Sequence, residues 1–266
     1  MARAVRFRLN KLKHFTRGLA PFRYMPIAHL IILQVLSPHR DARLKSTTDP
    51  DAMTNEFWTL LKSQPGVGIL IIDEDGLVLY CNPQAQQIYY GNEFNPVGKT
   101  IEEIEGKDFA AERMPVIRQV IATRKPVLIR HIRGGKWTEA MIWPMEPVPE
   151  RKSRIISVTR QGLETSEPGV AYRVVDSSLV DLGPLDVLTP RELEVLCLVG
   201  HGVPLKAIAA ELDVAQRTVE RYRSDISRKL GVNSIAEIAR LVQLAGLEIS
   251  HADMPRLNRW QGEESP

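Results

Sequence analysis

Three arginines and a serine near the carboxyl end of this 266-residue chain recur at the spacing of one helical face. The stripe consists of Arg217, Arg221, Ser224 and Arg228, at positions i, i+4, i+7 and i+11. A guanidinium group can donate two parallel hydrogen bonds to a guanine edge or to a phosphate. Because an isolated charge row is usually a solvated helix face, the elements around it must decide between DNA contact and simple solvation.

The segment that carries the basic stripe also has an apolar face. Its core-facing residues are Val219, Tyr222, Ile226 and Leu230. A shorter helix that starts at Pro204 precedes the segment across the connection 213–215, and Gly231 ends it. Two short helices joined by three residues, with the basic row on the second, are typical of a helix-turn-helix, whose second helix enters the major groove of DNA.

Capping boxes predict one further helix on each side. The Thr189 and Glu192 side chains can each bond to the other's backbone N–H, which predicts a helix over about 190–200. Ser234 and Glu237 repeat the pattern and open a fourth helix. The fourth helix has more apolar residues than one face of a small bundle requires, so the sequence predicts a surface for a partner subunit.

About sixty residues, from 188 to 247, resemble the LuxR-type DNA-binding domain of bacterial transcription regulators. The matching segments are LTPRELEVLCLVGHG, KAIAAELDVAQRTVERYRSDISRKLGV and SIAEIARLVQLAGL. The resemblance implies that Lys206 and Thr218 touch phosphates and that the fourth helix pairs two protomers. The DNA-contacting set is Lys206, Gln216, Arg217, Thr218, Glu220, Arg221, Ser224 and Arg228. The dimerisation set is Ile235, Ile238, Leu241 and Val242.

Three positions depart from the pattern of that family. Glu220 stands where lysine is frequent, Ala215 replaces the usual serine cap, and Tyr222 replaces a frequent histidine. A glutamate repels phosphate but accepts a hydrogen bond from the cytosine amino group. These departures leave the prediction of DNA binding in place and leave the sequence of the DNA site open.

The preceding hundred residues alternate short strands with helices. Apolar runs on both sides of Asp73-Glu74-Asp75-Gly76 predict a β-hairpin whose acidic turn is solvated. Asn82 and Pro83 open a short helix, and residues 108–123 have the spacing of a longer one. The three strand-like runs that follow are 127–132, 137–145 and 154–159. The whole chain is therefore predicted to be α+β, with an antiparallel sheet followed by an all-helical domain.

This region resembles a PAS sensor domain in GVGILIIDEDGLVLYCNPQAQQIY, in Pro96-Val97-Gly98-Lys99-Thr100 and in the final trio of strands. The resemblance implies a five-stranded antiparallel sheet around a small pocket that serves ligand sensing or dimerisation. The long helix lacks the histidine of haem-binding members, and the context of Cys81 departs from that of flavin-binding members. No cofactor is predicted, and the ligand is left unknown.

Three other kinds of site are disfavoured. Gly98-Lys99-Thr100 lacks the earlier glycine of a phosphate-binding loop, since position 93 is Glu93. The acidic hairpin turn leads straight into a strand, whereas a phosphoreceiver requires repeated βα units. Cys81 with His131 as its base is a lone coincidence, and His131 is interpreted as a surface or hairpin histidine. No catalytic residue and no metal site is predicted, and the chain is not expected to be an enzyme.

The net charge of +3 is a sum of unlike parts. Residues 1–45 hold ten Lys or Arg against Asp41 alone, so the rest of the chain is acidic overall. The apolar run 27–36 is shorter than the roughly 20 residues of a membrane span. No signal-peptide cleavage pattern follows that run. Either a flexible basic leader or a misassigned gene start, with translation beginning at Met25 or Met53, is therefore preferred over targeting. Cys81 and Cys197 have no disulfide or metal-binding spacing, which favours a reducing compartment.

These observations predict a bacterial one-component transcription regulator. Its expected divisions are a leader (1–54), a PAS-like domain (55–163), a linker (164–187), a LuxR-type domain (188–250) and a tail (251–266). The expected partners are double-stranded DNA, a second copy of the chain, and a small-molecule or protein signal at the PAS-like domain. The protein is expected in the cytoplasm, and no membrane partner is expected. The alternatives are a response regulator switched by a partner kinase, a PAS interaction scaffold, and an enzyme with an appended DNA-binding module.

Overall fold

The computed structural model describes residues 58–91, 94–162 and 172–257. Within them, a mixed sheet with helices on one face is followed by a cluster of four α-helices. This arrangement confirms the predicted α+β class. The predicted basic leader lies outside the described residues.

The sheet has six strands in the order β2-β1-β5-β4-β3-β6. They are β1 (Val67–Asp73), β2 (Val78–Cys81), β3 (Val127–Arg133), β4 (Lys136–Pro144), β5 (Arg154–Gln161) and β6 (Arg173–Asp176). The first five pair antiparallel, as the PAS resemblance implied, whereas β6 runs parallel to β3 at the edge. β6 comes from the segment predicted as a linker. Four residues of which three are exposed give little strand signal until a sheet edge offers them hydrogen bonds.

Helices cover one face of this sheet. They are α1 (Pro83–Tyr89), α2 (Ile101–Glu105) and α3 (Lys107–Thr123), and residues 58–63 are helical as well. Ile117 and Val120 of α3 pack on the inward strand residues, among them Ile129 and Ile155, which are almost fully buried. The prediction missed α2, although Thr100 and Glu103 form a capping box at its start.

The carboxyl-terminal part contains the four predicted helices. They are α4 (Pro190–Gly200), α5 (Leu205–Glu211), α6 (Gln216–Leu230) and α7 (Ile235–Ala245), with 3-10 turns at Gly183–Val187 and Ile249–Asp253. Both predicted capping boxes form, since Thr189 accepts from the N–H of Glu192 and Ser234 accepts from that of Glu237. α4 lies at the centre, with Leu193 and Leu196 buried among residues of the other helices.

The sheet and the helical cluster share an apolar contact. Ile132 of β3 is buried within the core of the cluster, and Trp137 of β4 packs against it. A Cβ added to Gly246, at the end of α7, would lie 2.6 Å from the Trp137 ring. Part of the predicted tail also joins this contact, because Arg256 donates to the carbonyl oxygen of Leu188 at 2.8 Å. The sheet therefore packs directly on the helical domain.

Two side chains that were expected at the surface are buried. Asp73 is not solvated, because its carboxylate accepts from the N–H groups of Asp75 and Leu77 and so holds the hairpin turn. His131 is also buried, since it lies on the inward face of β3, where it stacks on the ring of Tyr89. The expectations of a solvated Asp73 and of a surface position for His131 were wrong, although His131 does lie in the β3–β4 hairpin. Residue type alone does not reveal which face of a strand is covered.

The sheet and α1 depend on Asn82, which we predict to be essential for stability. Its side-chain oxygen accepts from the N–H groups of Ile69 and Ala85, and its amide donates to the carbonyl oxygen of Val67, each at 2.8 Å. Asn82→Ala leaves these buried groups unpaired and should lower the free energy of unfolding by about 2–4 kcal/mol in urea denaturation.

Asn95→Ala is the matched control, because Asn95 caps an exposed turn through the N–H of Val97. Its expected cost is below about 0.5 kcal/mol, as for most surface substitutions. Equal losses in the two variants would contradict the role given to the buried network.

Candidate nucleic-acid interface

α6 presents its predicted basic stripe to solvent. Arg217, Arg221, Ser224 and Arg228 are exposed, together with Gln216 and Glu220. On the opposite face, Val219 and Ile226 are buried, and Tyr222 and Leu230 pack against the same core. Since one face is fixed in the core, the arginine row is held outward on a rigid helix.

Two further predicted contacts lie on α5 and in the first turn of α6. Lys206 is exposed on α5, and Thr218 is half-buried in the first turn of α6. Ala215 stands at the N-cap position of α6 without a side-chain hydrogen bond to the helix. The first N–H groups of α6 are therefore not used by a capping side chain, which suits a phosphate at this end of the helix.

Acidic side chains lie within the basic stripe. Asp225 is 3.8 Å from the Nε of Arg221 and accepts from Arg228 at 2.9 Å. Gln216 donates to Glu220 at 3.0 Å, one turn away. Such exposed pairs contribute only about 0.3–0.5 kcal/mol each, so they order the side chains without preventing them from reaching DNA. The i,i+3 and i,i+4 spacing from Asp225 was readable in the sequence and was missed.

The end of α6 is fastened to the start of α4 by a buried carboxylate. Glu192 accepts from Lys229 at 2.6 Å and from the N–H of Thr189 at 2.8 Å. Burial opposes the charge of Glu192, but the bonds from Lys229 and Thr189 outweigh it and lower the pKa of the carboxyl group. The glutamate that caps α4 therefore also fixes the position of α6.

The burial of α7 differs from the predicted dimerisation set. Ile238 and Val242 are buried against the helical core of their own chain, and Leu241 packs beside them. Ile235 is 55% exposed, and Leu244 is 37% exposed. Ile238 and Val242 are therefore core residues, whereas Ile235 is accessible to a partner. Counting apolar positions could not separate the two roles, because α7 is apolar on more than one face.

The sheet domain has a charged interior beneath its helices. Arg133 donates to Glu105 at 2.7 Å, and its Nε lies 3.5 Å from Asp181. Burial opposes the charge of Arg133, but the two carboxylates outweigh this effect and raise its pKa. Burial, reinforced by Arg113 and Arg133, holds the pKa of His131 well below its usual value, so His131 is neutral at physiological pH.

A cavity of about 180 Å³ adjoins these charges. Its wall includes Tyr89, Tyr90, Phe94, Ile104, Glu105 and Arg133. Local sequence patterns do not reveal this site, because the two charges come from a strand end and a helix end that only the fold brings together.

Other kinds of chemistry find little support. Burial raises the pKa of Cys81 and of Cys197 to about 12, so both thiols are protonated at neutral pH and neither is an activated nucleophile. Among the described residues, no group of His, Cys, Asp and Glu is arranged to hold a metal ion. No described helix is long and apolar enough to cross a bilayer.

Because Glu192 binds Lys229 in the folded state, Glu192→Gln should lower the free energy of unfolding by about 1–3 kcal/mol at pH 7. A lowered folded-state pKa gives stability that is complete above the ordinary value of 4.5 and is lost as the pH falls through the folded-state value. Denaturation at several pH values should therefore show the two proteins converging in acid. Glu194→Gln, which loses only a partly exposed pair with Arg191, is the control. If the free energies of unfolding of wild type and Glu192→Gln differ by the same amount at every pH, the role given to the ionised Glu192 is contradicted.

Two protein families match the two parts of the chain. Residues 63–152 match the PAS fold, and residues 186–242 match "Bacterial regulatory proteins, luxR family". The first range covers most of the sheet and its helices, and the second covers α4, α5, α6 and most of α7. The match of the second family thus includes the helix that presents the basic stripe.

Individual proteins are similar to parts of this chain. Nodulation protein W of Bradyrhizobium diazoefficiens is 28% identical over half of this chain and 55% of its own length. Transcriptional regulatory protein FixJ of the same organism is 29% identical over 37% of this chain and 47% of its own length. The chain thus spans about half the length of these curated relatives. A crystal structure of a Vibrio cholerae VqmA-ligand-DNA complex is 20% identical, covers 80% of this chain and all of that one, and has a TM-score of 0.42. This chain is a PAS domain fused to a DNA-binding domain of the LuxR family of bacterial regulatory proteins.

Proposed function

We propose that the chain regulates transcription by placing α6 in the major groove of double-stranded DNA, in response to a signal received by its PAS domain. The observation that carries this proposal is the exposed guanidinium row on a helix whose opposite face is buried. A helix of 15 residues is roughly 22 Å long, and the major groove, about 12 Å wide, admits it. The proposed DNA-contacting set is the one predicted from the sequence.

The contacts divide by the chemistry that each side chain offers. Lys206 on α5 and Thr218 in the first turn of α6 suit phosphates and would position the domain without reading sequence. Arg217 and Arg221 suit guanine edges, because each can donate two hydrogen bonds. Glu220 lies beside them and suits the amino group of cytosine. Sequence preference is therefore proposed to reside on the exposed face of α6.

Pairing of two chains would place two such helices about 34 Å apart on one face of the DNA. The exposed Ile235 at the start of α7 is the apolar residue that supports this proposal, with the half-buried Leu241 nearby on the same helix. The name of FixJ, a transcriptional regulatory protein, supports the proposed role in transcription rather than the pairing itself.

The signal is proposed to be a small molecule in the cavity of about 180 Å³. That volume is below the usual range for drug-sized ligands, so the site suits a small planar compound that stacks on aromatic side chains. Glu105 and Arg133 would orient its polar groups. The chain itself is proposed to catalyse no reaction and to work in the cytoplasm, where Cys81 and Cys197 stay reduced.

Selection of bound genomic fragments, followed by affinity measurements, tests the DNA proposal. Arg221→Ala should weaken binding to the selected fragment by about 5- to 150-fold and relax its base preference, because a bidentate contact to guanine contributes about 1–3 kcal/mol. Arg118→Ala, which removes the same charge from an exposed position on α3, is the matched control and should change affinity much less. Unchanged affinity and preference in Arg221→Ala would defeat the assignment.

Glu220→Gln should change which base is preferred at one position of the site. A carboxylate accepts from cytosine, whereas a carboxamide pairs best with adenine, so the preference should move from a C·G to an A·T pair by about 1–3 kcal/mol. Binding to a library of single-base variants measures this shift. Glu211→Gln, on α5 outside the exposed face of α6, makes the same chemical change and should leave the preference as it is.

A further inference from the structure

The strongest unexplained feature is a buried charge triad that joins three parts of the chain. Arg133, at the end of β3, lies between Glu105, at the end of α2, and Asp181, in the segment that leads to the DNA-binding domain. The three side chains are between 4% and 7% exposed. Two carboxylates thus share one guanidinium away from water, and neither can lose it without leaving a buried charge unpaired.

One side of the triad faces the cavity of the PAS domain. Glu105 and Arg133 both line that cavity, and Arg133 also donates to the carbonyl oxygen of Tyr89, another wall residue, at 2.6 Å. A molecule that hydrogen-bonds to the wall would therefore compete with Glu105 for Arg133 or reinforce their pair. Either change alters how closely and how strongly the Arg133 guanidinium pairs with the Asp181 carboxylate.

The other side of the triad fixes the connecting segment. The Asp181 carboxylate accepts from the N–H of Gly134 at 2.9 Å and from that of Gly183 at 3.0 Å. Its backbone bonds to Ile132 and Gly135, so the segment is held along the β3–β4 turn. Asp181 is therefore the point at which the connection is attached to the PAS sheet.

This attachment is continuous with the helical domain. Leu182, the next residue, is buried in the core that contains α4 and α7. A Cβ added to Gly183, whose φ is +52°, would lie 2.5 Å from the carbonyl carbon of Gly134. The two backbones are in such close contact that the segment cannot shift along the hairpin while Asp181 stays bound; it is either docked or released.

We propose that Arg133 is a positioning residue that couples the PAS cavity to the placement of the DNA-binding domain, through its shared pairing with Glu105 and Asp181. Occupation of the cavity biases the Glu105–Arg133 pair, and this bias decides how firmly Asp181 holds the connecting segment to the β3–β4 turn. The proposal names the regulation of the function proposed above and rests on it for the DNA measurement alone.

The test is a double-mutant cycle in the full chain with the nearly isosteric changes Glu105→Gln and Asp181→Asn. The first readout, amide hydrogen exchange at Gly135 and Gly183, needs no DNA. Glu105→Gln touches neither amide, yet Glu105 holds Arg133 beside Asp181 through the shorter of the two pairs. Loss of that charge should free Arg133 to move and so speed exchange at both amides by at least about fivefold, which is the lower end of measured coupling between sites. Unchanged exchange there in a folded Glu105→Gln protein overturns the proposal, and this arm holds even if Asp181→Asn fails to fold.

The second readout is affinity for the selected DNA fragment. Both single variants should shift it in the same direction, and the double variant should shift it no further than the larger single one, since both interrupt one connection. Independent, multiplicative effects would overturn the coupling. Asp176→Asn is the control, because Asp176 pairs with Arg130 of the same strand β3 at 2.7 Å but is largely exposed; it should change neither readout by more than about twofold.

The two proposals fail separately. If the wild-type chain selects no DNA, the proposed function is wrong, and the exchange measurement still decides whether the triad couples the cavity to the connection. If the wild-type chain binds DNA and the variants act independently, the function stands and the coupling is wrong.

Discussion

The structure depends on the burial of one face of α6 against α4. Val219 and Ile226 occupy a core built around Leu193 and Leu196, so rotation of the helix would expose apolar surface and bury charge. This single constraint turns a row of arginines into an oriented surface. The pair between Glu192 and Lys229 adds a polar contact at the end of α6, beside the apolar packing of Leu230.

The same core also reaches beyond the helical domain. Ile132 inserts from the PAS sheet, and Trp137 packs beside the end of α7. A LuxR-type domain that shares part of its core with the PAS domain cannot move independently of it without exposing apolar surface. The proposed signal would therefore have to act on the contacts that hold the two together, and the buried ion pairs of Arg133 lie among those contacts. The apolar contact supplies stability, whereas we propose that the charges allow it to be changed.

Much of the fold was predictable because it is encoded locally. Helix starts follow from Thr189 and Ser234 as caps, and the orientation of α6 follows from the 3.6-residue period of its apolar side chains. Elements whose stability comes from distant partners were missed or misjudged. β6 forms because β3 offers an open edge, and Ile238 is a core residue because α4 covers that side of α7.

The sequence by itself determined the class of fold, the two kinds of domain and the row of side chains that points to DNA. Those properties are carried by spacing within one element, which a linear pattern preserves. Only the tertiary structure decided that His131 is buried, that Arg133 joins Glu105 to Asp181, and that the predicted linker is attached to the sheet. These facts depend on residues that are far apart in the sequence, since Arg133 lies 28 positions from Glu105 and 48 from Asp181. The free energy of a buried charge is set by such neighbours, and local spacing does not reveal them.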